Sequence, residues 1–105
     1  MHTITVVPLG PGSPDLLTLG TLRQLKKARQ VVLRTRRHGA AKRLADEGLN
    51  FDSLDTLYEQ SGDFDQFART AAQTIIDRAQ DAAVTYAVAD PASDATVALL
   101  KQRAG

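Results

Sequence analysis

Apolar, β-branched residues gather at Ile4, Val6 and Val7, again at Val31–Leu33, and again from Ala83 to Val88. Between these runs the apolar positions recur every three or four residues, the spacing of a helix with one buried face. The first run, apolar without clean alternation, predicts a strand covered on both faces. Thr18 then stands as an N-cap, followed by Leu19, Leu22 and Leu25 at helical spacing. Gly20 inside that helix lowers its propensity by about 1 kcal/mol against Ala, so packing must hold it. Lys26, Lys27 and Arg29 lie where the helix ends, which suits its dipole. Val31–Leu33 is the second strand. Gly39 opens a short helix through Ala40, Ala41, Leu44 and Ala45, and Gly48 closes it as a C-cap.

A weak third strand is expected within residues 49–54, followed by Asp55-Thr56-Leu57-Tyr58. Asp63 caps the longest helix, whose stripe of Phe64, Phe67, Ala68, Ala71, Ile75 and Ala79 is assigned to the core. Residues 83–88 form the fourth strand. Asp90 or Ser93 is expected to cap the last helix, in which Val97, Leu100 and Ala104 share a face. Strands alternating with helices predict an α/β fold with right-handed crossovers. The architecture expected is three-layer α/β/α, with a mostly parallel sheet of about four to five strands and flanking helices. The chain closes on Arg103-Ala104-Gly105 with a helix barely finished and no further strand, which reads as a cut.

Two loops at the carboxyl ends of strands are the candidate ligand sites, since open α/β sheets bind there. The first is Leu9-Gly10-Pro11-Gly12-Ser13-Pro14-Asp15. Gly10 and Gly12 permit positive φ and close approach of a ligand, and Pro11 and Pro14 stiffen the loop. It is neither a dinucleotide fingerprint, lacking the third glycine, nor a P-loop, lacking Gly-Lys-Ser/Thr. A ligand loop and a simple tight turn both fit this spacing. The second is Ala89-Asp90-Pro91-Ala92-Ser93-Asp94, for which capping alone is an equal explanation. A basic run, Arg34, Arg36, Arg37 and His38, follows the second strand. It is either a receiver for an anionic substrate or a solvated rim. Tyr58 either lines a pocket or is a half-buried tyrosine with its hydroxyl at the surface.

At 105 residues, 43% hydrophobic and 24% charged, the chain is one globular domain at most. Thirteen basic against 12 acidic side chains give no bulk electrostatic reason to expect nucleic acid. Without cysteine there is no disulfide, thiolate nucleophile or cysteine metal site, and His2 and His38 have no metal-ligand spacing. No apolar run reaches membrane-spanning length and no signal peptide opens the chain, so a cytoplasmic protein is the expectation.

With both loops placed, the sequence resembles the N-terminal subdomain of the tetrapyrrole (corrin/porphyrin) methylase family. The resemblance rests on Ile4-Thr-Val-Val-Pro-Leu-Gly-Pro-Gly-Ser-Pro-Asp-Leu-Leu-Thr18, on Val31-Val-Leu-Arg-Thr35 with Arg37-His38, on Phe51–Glu59 with Phe64, and on Val84–Val88. It is closest to the branch fused to MazG-like nucleotide pyrophosphohydrolases. Residues 1–105 then correspond to one subdomain, the second being absent. Two positions differ from the family pattern: Ala89-Asp90-Pro91 lacks a glycine, and Pro8 stands where a glycine is usual.

The resemblance implies S-adenosylmethionine as cofactor, with Leu9, Gly10, Pro11 and Gly12 on one wall of its pocket and Asp90 and Pro91 as the opposite lip. Arg34, Arg36, Arg37 and His38 would face an anionic methyl acceptor, such as the carboxylates of a tetrapyrrole. Methyl transfer from a sulfonium needs alignment and exclusion of water more than a tuned base, so no catalytic residue is named. The alternative is a non-catalytic module that binds a ligand or docks a MazG-like pyrophosphohydrolase. An exposed cleft face predicts a homo-oligomer.

Overall fold

The computed structural model describes residues 1–10 and 17–104, without the side chain of Ala104. Four strands form a wholly parallel sheet: β1 (Ile4–Pro8), β2 (Gln30–Leu33), β3 (Asp52–Ser53) and β4 (Val84–Val88), in the order β1-β4-β2-β3. The helices are α1 (Leu19–Lys27), α2 (Gly39–Asp46), α3 (Asp55–Gln60), α4 (Phe64–Arg78) and α5 (Ala95–Ala104), with a 3₁₀ turn over Pro91–Ser93.

The side-chain alternation of the strands sorts the core into two layers. Val7, Leu9, Val31, Leu33 and Ala87 pack with Leu22, Leu25, Ala40 and Leu44 of α1 and α2. Val32, Val84, Tyr86 and Val88 pack on the other face with Phe67, Ala71, Ala72, Ile75, Val97 and Leu100 of α4 and α5. This is the expected three-layer α/β/α architecture. Its centre is β4, all five residues of which are buried. Pro8 lies on the edge strand β1, where a proline that cannot donate to a ladder is tolerated.

The expected caps form at three helices. Thr18 accepts from the Thr21 amide (3.1 Å) and Asp63 from the Gln66 amide (2.7 Å). After α2, Gly48 at φ 80° and Leu49 return their amides to Ala45 and Leu44 (3.0 and 3.1 Å), a Schellman closure. That closure consumes Leu49, which is one reason the expected third strand shrinks to two residues. The last helix departs from expectation. Asp94 caps it, accepting from the Val97 amide at 2.9 Å, while Asp90 is occupied with the 3₁₀ turn, accepting from Ala92.

Two apolar residues assigned to buried faces are exposed. Phe64 opens α4, one turn ahead of the part that meets the sheet, and is 55% exposed. Leu19 likewise opens α1 and is 59% exposed, leaving Leu22 and Leu25 to anchor that helix. Among the described residues no helix is long and apolar enough to cross a membrane.

Two glycines give a stability test with opposite signs. A Cβ at Gly20, exposed within α1, would meet no atom within 4 Å. Gly20→Ala should therefore raise stability by about 0.5–1 kcal/mol through helix propensity. Gly48→Ala has equal space, but its positive φ strains any L side chain, and it should cost about 1 kcal/mol. Thermal and urea unfolding of both variants checks the pair.

Candidate functional site

Because every strand is parallel, the carboxyl ends of β1, β4, β2 and β3 open along one rim. Backbone bonds continue past the ladder there. Leu9 and Gly10 donate to Val88 and Ala89 (2.9 and 3.2 Å), Arg34 donates to Ala87 (3.0 Å), and Leu54 donates to Leu33 (3.0 Å). Gly10 has φ 79°, a conformation glycine adopts without strain. Pro11, Gly12 and the rest of that loop through Leu16 lie outside the described residues.

A small depression of about 70 Å³ sits at this rim between Leu9, Arg34, Thr35, His38, Ala87, Val88 and Ala89. Of the residues expected to hold a cofactor, Leu9 lines it and Gly10 adjoins Leu9. Asp90 and Pro91 do not line it. The Asp90 carboxylate instead accepts from the Ala92 amide and the Ser93 hydroxyl (3.2 and 3.0 Å).

The basic run divides three ways. Arg34 and Arg37 line a second, larger pocket of about 430 Å³ together with Thr35, Asp55, Tyr58 and Glu59. Arg34 holds its guanidinium over the rings of Phe67 (4.5 Å) and Tyr58 (5.3 Å), so its position is fixed by cation–π contacts. Arg36 leaves this group. Its guanidinium stacks over Phe51 (4.7 Å) and donates to the Phe51 carbonyl (3.0 Å). His38 turns toward the first loop. Its Nδ1 accepts from the Ala40 amide (3.0 Å), capping α2, which assigns the proton to Nε2 and makes Nε2 the donor to the Gly10 carbonyl at 2.8 Å.

Asp55 braces the same loop from the other side. Its carboxylate accepts from the Thr35 hydroxyl (2.6 Å) and the Arg36 amide (2.8 Å), while the Thr35 oxygen accepts from the Arg37 amide (3.1 Å). Burial opposes its ionisation. The Arg36 amide, the Thr35 and Ser53 hydroxyls and the Arg37 charge together outweigh that and hold the carboxyl below its ordinary value. Asp55 was not singled out from the sequence, because nothing in its spacing marks a partner 20 residues away. Nor was α3, a helix of six residues with none fully buried.

Tyr86 on β4 is fully buried, and its hydroxyl makes no hydrogen bond among the described residues. Burial first and the Asp94 carboxylate second push its phenol up, with the Arg34 charge opposing. It stays protonated at neutral pH. Another depression, about 450 Å³, lies at the opposite end of the sheet, beside Gln30, Asn50, Phe51 and Asp52. There Arg78 is paired with Asp52 (2.8 Å) and the Gln30 amide bridges the Arg78 and Ala82 carbonyls, so it is a structural corner.

Two substitutions test the braces. Asp55→Asn keeps one acceptor but turns an amino group toward a donor, and should cost about 1 kcal/mol at pH 7, a modest value for a partly exposed charge-assisted pair. The Asp55 carboxyl titrates below its unfolded value, so its contribution is present above the unfolded pKa and lost as pH falls through the folded one. The gap between the two proteins should close as pH drops below about 4. His38→Asn keeps a good N-cap but is too short to reach Gly10. Stability should change little, while the Leu9 and Gly10 amides should exchange hydrogen faster than in the parent. Unchanged exchange would show that the tether does not hold the loop.

The family model described as Tetrapyrrole (Corrin/Porphyrin) Methylases matches residues 3–103. The chain is also 34% identical over 102 residues to "Uncharacterized protein YabN" of Bacillus subtilis (strain 168). That match covers 95% of this chain and 21% of the relative, so the chain spans about a fifth of the relative's length.

Proposed function

The chain belongs to the tetrapyrrole methylase family, and on that premise we propose that it forms the N-terminal half of an S-adenosylmethionine cleft in a methyltransferase. The observation that carries the reading is the docking of the β1 loop onto the end of β4, through the Leu9 and Gly10 amides and the Val88 and Ala89 carbonyls. Leu9, Gly10 and Val88 lie in two of the four stretches that carry the family resemblance, and Ala89 follows the second of them. The depression beside them fits one wall of a cofactor site. Ala87 and Ala89 leave room, Gly10 lets the backbone approach, and about 70 Å³ is far less than a complete ligand pocket. A second subdomain would supply the rest.

Leu9, Gly10 and Ala89 would hold the cofactor's wall, with Pro11, Gly12, Asp90 and Pro91 completing it on the family resemblance. Bound there, S-adenosylmethionine supplies an electrophilic methyl group. The chain's own task is to fix the wall and keep water from it, which the His38 tether to Gly10 and the buried Leu9 serve. Arg34 and Arg37 would draw the anionic groups of a methyl acceptor, such as tetrapyrrole carboxylates, into the 430 Å³ pocket. Arg36 and His38, each held by other partners, would serve that loop from behind.

A second reading is a non-catalytic module docking a MazG-like nucleotide pyrophosphohydrolase. Ala89 favours it, because it puts a methyl group where the family resemblance has a glycine. Isothermal titration of S-adenosylmethionine and S-adenosylhomocysteine into this chain, and into a chain extended through the following subdomain, separates the two. The cleft predicts binding in the extended chain that Ala89→Val weakens at least tenfold without a shift in melting temperature. Absence of binding in both would retire the methyltransferase reading and favour the docking module.

A further inference from the structure

The chain's two tyrosines and three phenylalanines are used in different ways. Phe51 carries the Arg36 guanidinium, and Tyr58 and Phe67 share that of Arg34. Tyr86 is sealed in the core. Phe64 is left, 55% exposed and with no cation over its ring among the described residues. Its place is nonetheless fixed. It tilts against Phe67 with ring centroids 6.4 Å apart, and Phe67 meets Tyr58 edge to face at 5.3 Å. Tyr58 is itself 49% exposed, so two aromatic side chains stand open to solvent at one corner, the junction of α3 and α4.

Tyr58 and Phe64 flank a recess of about 200 Å³ that Ser61, Gly62 and Asp63 complete. A water takes about 30 Å³ in the liquid, so the recess has room for the head of a small organic ion. The donors of Ser61 and Gly62 are already committed. The Ser61 hydroxyl donates to the Leu57 carbonyl (2.8 Å), the Ser61 amide to the Tyr58 carbonyl (3.2 Å) and the Gly62 amide to the Gln66 side chain (2.6 Å). Asp63 is only half committed. Its Oδ1 accepts from the Gln66 amide at the start of α4 (2.7 Å), and its Oδ2 makes no hydrogen bond or ion pair among the described residues. No basic residue lines the recess; Arg34 belongs to the neighbouring pocket, which shares Tyr58 with it. The full charge of the carboxylate outweighs the half charge of the helix end beside it.

We propose that this corner binds an N-methylated ammonium ion, seated against the Phe64 and Tyr58 rings and drawn by the free Oδ2 of Asp63. Aromatic faces and a carboxylate both attract positive charge, whereas an anion would meet donors that are already taken. Methylation decides the class of cation. A primary ammonium must find acceptors for three N–H groups, and the recess offers one open carboxylate oxygen. A trimethylammonium head has no N–H to satisfy and spreads its charge over methyl groups that pack on aromatic rings. A free quaternary amine and a methylated lysine side chain of a partner protein carry this same chemistry. The site does not depend on cofactor binding beside Leu9 and Gly10.

Proton–nitrogen NMR titration of the whole 105-residue chain with choline, at constant ionic strength, tests this. Choline should shift the amides of residues 58–65 and the Phe64 ring protons saturably, with a Kd in the millimolar range that two rings at an exposed site support. Sodium chloride and 3,3-dimethylbutan-1-ol, the neutral carbon isostere of choline, should leave those signals in place. Phe64→Leu keeps apolar bulk without a π face and should weaken choline about two- to fivefold. Asp63→Asn keeps a good N-cap without the charge and should weaken it by a similar factor. Both variants should melt close to the parent. A trimethyllysine peptide that binds more tightly than choline assigns the cation to a partner protein; one that binds no better assigns it to a free amine. Absence of a saturable shift with choline overturns the proposal. So does an equal response to the neutral alcohol, or undiminished choline affinity in Phe64→Leu.

Discussion

Everything at the rim depends on the burial of β4. It is the last strand in sequence and a central strand of the sheet, paired with β1 on one side and β2 on the other. The register joins Ile4 to Val84, 80 residues apart, so one side of the sheet is assembled from strands far apart in the chain. Such non-local pairing delays closure until most of the chain is ordered. It also decides the site. β1 and β2 never pair with each other, and only the end of β4 brings Gly10, Arg34 and Ala89 to one place. A five-residue strand with no charged side chain, packed by helices on both faces, is the physical cause of that convergence.

The elements carrying a strong local signal were readable from the sequence: the three apolar runs, the caps at Thr18 and Asp63, and the α2 closure at Gly48. The family, too, was legible in the first strand and its loop. What could not be read belongs to pairings between distant segments or to positions at the margin of an element. Phe64 and Leu19 satisfy the helical period, yet each is the first residue of its helix and projects beyond the sheet it would cover. Asp94 and Asp90 are both good caps by composition. Which one caps α5 depends on where the 3₁₀ turn stops. The brief α3 has too few residues for a period to show.

The basic run illustrates the same limit at the site. Four neighbouring basic residues suggested one surface, but consecutive loop residues point in different directions. Arg36 finds Phe51, and His38 finds the Gly10 carbonyl and the end of α2. Those two fasten the β2–α2 loop to its surroundings, with Asp55 as a third fastening through Thr35 and the Arg36 amide. A loop held at three points loses little further entropy when a ligand arrives, which is the usual physical advantage of such bracing.

Arg34 then occupies a position unlike the other three. It lines both the small depression beside Leu9 and the larger pocket beside Tyr58, and it rests on two aromatic rings while doing so. Lifting a guanidinium from such rings costs on the order of 0.5–2 kcal/mol, depending on how far it is desolvated. An anionic group would therefore come to Arg34 where it stands, rather than draw it away. The same side chain would feel whatever fills either space. A ligand in the larger pocket that fixes Arg34 more firmly also fixes one side of the smaller one. The two spaces at the rim are in this way joined by one cation, whose place is set by the packing of α3 and α4 against the sheet.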